Sequence, residues 1–217
     1  MPTGRQATSA LLLAAVMLTF GAWGVIRSAD RDLDAGFWFE PVTYGEGEAM
    51  VDRLGGPLTS AELNTIKVVA ASEVAKAFAG LPLDVSDRTD AMFRVRVVQE
   101  LLNVRAPKYP GPAGESRTIP GYGGQGAVNF RQLVSSAVAY APPGADRAVV
   151  VEAIGRGVGR TAVHEFAHQL LGSAALDSTA DRSSYEFRSA DRREQFYGDA
   201  HWSSAWPGLK RRLGVGP

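Results

Sequence analysis

The stretch His164-Glu165-Phe166-Ala167-His168-Gln169-Leu170-Leu171-Gly172 carries two histidines four positions apart, a glutamate beside the first and a glycine at its end. On a helix, residues at this spacing project from one face about one turn apart. Both imidazoles can then reach one metal ion at about 2.0–2.1 Å. Glu165 is rotated about 100° from His164, away from the ligand position but within reach of a water at the metal. Val163, Phe166, Ala167 and Leu170 supply an apolar surface to bury, so one helix can be anchored in a core and open to a cleft. Gly172 is a natural helix end. The pattern predicts a zinc site in which Glu165 is the general base toward a water that the metal acidifies.

The 217-residue chain contains no cysteine. That removes disulfides, thiolate zinc sites, thiol nucleophiles and iron–sulfur clusters together, so any metal must be held by His, Asp or Glu. Only three histidines are available. Lys and Arg total 23 and Asp and Glu total 23, so no net field favours nucleic acid or an anionic membrane, and no nucleic-acid partner is expected. A composition of 45% hydrophobic and 21% charged residues is that of a globular protein, long enough to fold around a single core.

Working outward toward the N-terminus, residues 1–24 read as a signal peptide or signal anchor. Arg5 precedes an uncharged run from Gln6 to Ile26 with an apolar centre, Ala10 to Phe20, and small residues at Ala22 and Gly24. Retained, residues 7–26 would attach the chain to a membrane; cleaved, they would release it to the periplasm or the medium. A buried core helix is the third reading. Residues 25–58 read as a linker whose Phe37-Trp38-Phe39 cluster packs onto the domain, and residues 59–217 as the domain itself.

Within that domain, Thr59-Ser60-Ala61-Glu62 is a capping box, followed by Leu63, Ile66, Ala70, Val74 and Ala77 at helical spacing. Gly80 and Pro82 end that helix. Phe93, Val95 and Val97 alternate with polar neighbours, which predicts a half-buried strand. Residues 105–126 are rich in Pro and Gly and predict a long loop, with Ala127 to Phe130 a short strand leaving it. From Asp146 to Leu171 the pattern is helical, but Gly155, Gly157 and Gly159 each cost about 1 kcal/mol inside a helix, so a break or two helices are expected. The remainder, Ser173 to Pro217, reads as loops and short helices.

HEFAHQLLG resembles the active-site helix of the zincin metallopeptidases, and HEFAHQ is particularly similar to the Mlc titration factor A peptidases. The resemblance assigns the superfamily and no subfamily. It implies an α+β, zincin-like fold: a small twisted mixed sheet packed on the capped helix and the motif helix, with an irregular C-terminal part. It further implies Zn2+ as cofactor and a peptide or protein substrate added as a strand to an exposed sheet edge, here Ala127 to Phe130. Metzincins carry a Gly three residues after the second His and a His or Asp three further on. Leu171 and Ala174 stand there, so that pattern fails. Gluzincins take a Glu from a second helix downstream, which makes Glu186 the natural third ligand.

Catalytic zinc takes three protein ligands and keeps one open position. Besides Glu186, the candidates are His201, Asp177 and Asp181. With Glu186 on the metal, a helix capped by Asp181 or Ser183 would carry it in its first turn. His201 would then be a catalytic residue donating to the oxyanion, oriented by Asp199, with Tyr185 and Tyr197 as further donors. The expected protein is an exported zinc peptidase with metal ligands His164, His168 and Glu186 and catalytic residues Glu165 and His201. Its competitors are a catalytically silent exported peptide-binding module on the same fold and a structural metal site closed by four ligands. Glu165 separates the peptidase from the binding module, since a pure binder has no chemical need for a carboxylate beside the metal.

Overall fold

Thr59 starts the first helix as its sequence dictates. Its Oγ1 accepts from the Glu62 amide at 3.2 Å, and the Glu62 carboxylate accepts from the Thr59 amide at 2.8 Å. Helix α1 (Ser60–Ala77) buries Ile66, Ala70, Val74 and Ala77, and Gly80, at φ +83°, turns the chain out of it. The computed structural model describes residues 33–42, 44, 54–104, 111–119, 123–172 and 176–215.

Five strands, β1 (Leu33–Phe39), β2 (Leu83–Ser86), β3 (Phe93–Val98), β4 (Gly114–Ile119) and β5 (Gly123–Asn129), form one sheet in the order β2-β1-β3-β5-β4. All pairings are parallel except that of β4 with β5. The helices that follow are α2 (Phe130–Ala139), α3 (Arg147–Leu171), α4 (Glu194–Tyr197) and α5 (Trp206–Arg212). The protein is α+β, with a five-stranded mixed sheet. Register places Phe93, Val95 and Val97 beside Gly124, Gly126 and Val128 on one face, where burial is nearly complete. The opposite face carries Arg96, Gln125 and Arg117, all exposed. The alternation predicted for residues 93–97 is therefore the alternation observed.

Three expectations are corrected. The linker assigned to residues 25–58 contains β1, which lies between β2 and β3. Its aromatic cluster is strand sequence: Phe37 is buried, and Phe39 meets Tyr44 and Phe130 edge-on. The loop assigned to residues 105–126 contains β4 and most of β5. Residues 127–129 are the end of the interior strand β5, Phe130 opens α2, and the sheet edge is β4. Glycine is frequent here because α3 presses on the sheet: a Cβ at Gly124 would lie 2.4 Å from Gln169 Cγ.

Helix α3 is unbroken over 25 residues. Its glycines mark close approaches rather than a break. A Cβ at Gly155 would lie 2.7 Å from Val69 Cβ, at Gly159 2.5 Å from the Ala70 carbonyl oxygen, and at Gly157 2.3 Å from the Phe196 ring. Packing contacts with α1 and Phe196 offset the lost helix propensity. The helix ends at Gly172, at φ +82°. Among the described residues no helix is long and apolar enough to cross a membrane. The signal or anchor expected in residues 1–24, and the membrane attachment through residues 7–26, lie outside the described residues.

Candidate metal centre

The last turns of α3 bring His164 and His168 onto one face, with their Nε2 atoms 2.9 Å apart. The His164 Nδ1–H donates to the Tyr185 carbonyl at 2.8 Å; this fixes the tautomer and leaves Nε2 as a lone pair. Burial pushes the pKa of both imidazoles down, which favours the neutral form that binds metal. The Nδ1 of His168 is buried and has no hydrogen-bond partner among the described residues.

Asp177 completes the group. Its Oδ1 lies 3.4 Å from His164 Nε2 and 3.7 Å from His168 Nε2. These three edges define a triangle with a circumscribed radius of about 1.9–2.0 Å, which is the base of a coordination tetrahedron with bonds of about 2.0–2.1 Å. The donor set, two imidazoles and one carboxylate, is one that suits zinc. Asp177 is delivered by a tight turn in which the Ser178 amide donates to the Leu176 carbonyl at 2.8 Å. Leu176 is itself fully buried against Ala167 and Ala205.

Glu186 is not in this group, which corrects its assignment as third ligand. It is completely buried, and its carboxylate accepts from the amides of Ser203, Ser204 and Ala205 at 2.7–2.8 Å and from Ser204 Oγ at 2.6 Å. Burial acts to raise its pKa, but these four donors outweigh it and hold the carboxyl below its ordinary value. No helix forms at residues 183–187; the segment turns and makes one parallel bridge, Ser184 to His201. The second correction is His201, expected at the oxyanion. Its exposed ring meets Asp181 at 2.8 Å, rather than Asp199, and it does not line the cleft. Tyr197 donates to the Ala137 carbonyl at 2.7 Å and is committed to the fold.

Glu165 lines the same cleft, of about 920 Å³, as the two histidines, Asp177 and Tyr185. It is buried, and burial first, then the charges of Asp177 and Glu115, push its carboxyl up to about 8. The opposite wall is the edge strand β4. Ser116 Oγ donates to the Glu165 carbonyl and Thr118 Oγ1 to the His168 carbonyl, both at 3.2 Å. Gly114 lets the strand lie against the carboxylate, since a Cβ there would stand 2.4 Å from Glu165 Oε1. Neither β4 nor the Tyr185 carbonyl was legible as part of the site. The alternation of Ser116 and Thr118 with charged neighbours was the only signal of the strand. No protein-family model matches the chain and no curated protein matches it, so the functional reading rests on residues and geometry.

Proposed function

We propose that this protein is an exported zinc-dependent peptidase of the zincin type, with His164, His168 and Asp177 as metal ligands and Glu165 as general base. The observation that carries the reading is the triangle of three donor atoms, sized for a tetrahedral zinc, in a cleft that also holds a buried carboxylate. Zn2+, when bound, would supply Lewis-acid chemistry, acidifying a water and polarising a carbonyl. The chain's own part is the rest. A cation held by the neighbouring histidines would favour the ionised form of Glu165, which burial otherwise disfavours; that carboxylate receives the proton of the attacking water and passes it to the leaving amine. Tyr185 holds His164 in the ligating tautomer. The edge of β4, unpaired among the described strands, offers backbone donors and acceptors to an extended peptide, which aligns the scissile bond along the cleft.

Zinc content of the purified full chain tests the site. About one zinc per chain is expected, lost in His164→Ala and His168→Ala and bound at least about 10-fold more weakly in Asp177→Ala, while His201→Ala keeps it. Stoichiometric zinc in a His164→Ala, His168→Ala double variant would sink the proposal.

A further inference from the structure

The segment 182–189 is a strap tied to α3 at Tyr185, whose carbonyl is the group that orients His164. No ladder holds it. Its regular pairing is a single bridge, in which the Tyr185 amide donates to the His201 carbonyl at 2.9 Å and the His201 amide to the Ser183 carbonyl at 3.2 Å. Two buried charged side chains supply what the backbone does not.

Glu186, next in sequence to Tyr185, gathers three consecutive amides and one hydroxyl from residues 203–205. Arg192 ties the segment's carbonyls together. Its Nε donates to the Arg182 carbonyl at 2.6 Å, its Nη2 to the Ser184 carbonyl at 3.0 Å, and its Nη1 to the Ser189 carbonyl. Both residues are almost wholly buried. A buried charge whose partners are mostly backbone groups fixes the path of a segment, because moving the segment leaves that charge unsatisfied.

We infer that Glu186 and Arg192 are positioning residues of the metal centre, acting through the strap that holds the Tyr185 carbonyl against His164 Nδ1. Its metal readout rests on the zinc reading above; the tautomer of His164 does not. With the carbonyl in place, His164 carries its proton on Nδ1 and presents Nε2 to the metal. With the strap displaced, the Nε2–H tautomer is populated, and that form cannot ligate through Nε2, the nitrogen that faces His168.

Histidine 15N–1H spectra of the metal-free full chain, read beside zinc affinity, test this. In the wild type His164 shows the Nδ1–H tautomer. In Glu186→Gln, where an amide NH2 would face donors, His164 shows mixed tautomers, and zinc affinity falls about 10–100-fold. Arg192→Lys, which keeps the charge but loses the fork, shifts both readouts the same way, and Ser204→Ala, which deletes one of four donors, shifts them less. A folded Glu186→Gln with wild-type tautomer and affinity overturns the inference. If Glu186→Gln fails to fold, Ser204→Ala decides, and an unchanged tautomer and affinity there overturns it. A wild-type chain that binds no zinc would defeat the functional reading, while the tautomer comparison would still judge the strap.

Discussion

Gly159→Ala sets helix propensity against helix packing. Alanine inside a helix is favoured over glycine by about 1 kcal/mol, so local energetics predict stabilisation. Helix α1 stands in the way: the added Cβ would lie 2.5 Å from the Ala70 carbonyl oxygen, 2.8 Å from Glu73 Cβ and 3.0 Å from Ala70 Cα. Two of these are backbone atoms that cannot rotate aside. The two helices must part by most of an ångström before the contacts reach van der Waals range. Separation also pulls on the adjacent Arg160, whose Nε bonds Glu73 at 2.7 Å. Overpacking costs about 1–3 kcal/mol; net of the propensity gain, a loss of about 1–2 kcal/mol is expected. In a domain of this size that lowers Tm by about 2–8 °C. Circular-dichroism melting measures it, with Gly208→Ala as control. There the nearest atom is a Leu171 methyl at 3.4 Å, and stability should hold or rise. A Gly159→Ala variant melting at or above the wild type would refute the close packing of α1 and α3.

Gly114→Ala forces the Glu165 carboxylate aside, since the new Cβ would meet Oε1 at 2.4 Å and Thr161 Cγ2 at 2.8 Å. The variant should fold and hold zinc while peptide turnover drops about 10–100-fold; unchanged turnover would remove β4 from the account of the base. Glu62 gives a pH-dependent prediction. Its bond from Arg147, then that from the Thr59 amide, lowers its carboxyl from 4.5 to about 2. A depressed folded-state pKa contributes stability that is full above the ordinary value and is lost as pH falls toward 2. Arg147→Met should therefore flatten the fall of urea midpoints across that acid window, and an unaltered acid profile would contradict the assignment.

What was legible in the sequence is what is encoded locally. The capping box at Thr59, the alternation at Phe93 to Val97 and the pairing of His164 with His168 each depend on residues within one or two turns. The third ligand depends on chain paths. Asp177 reaches the histidines because Leu176 packs against Ala167 and Ala205, and no pattern around Asp177 announces that contact. Glu186 looked like a ligand because the gluzincin pattern takes a Glu from a downstream helix; no helix forms there, and the donors that claim its carboxylate come from 17 to 19 residues further on. Glycine misled twice for one reason. In α3 and in β5 it serves close approach between elements, and sequence alone does not distinguish that use from a break or a loop.

In the proposed mechanism Glu165 performs proton transfer at a zinc site made by His164, His168 and Asp177. The most direct measurement is hydrolysis of a mixed peptide pool by the zinc-loaded full chain beside Glu165→Gln, read by mass spectrometry at matched zinc content. Cleavage by the wild type and a loss of several orders of magnitude in the variant are expected, because the amide cannot take a proton from water. Equal cleavage by the two proteins, or none by a wild type that holds its zinc, would contradict the mechanism.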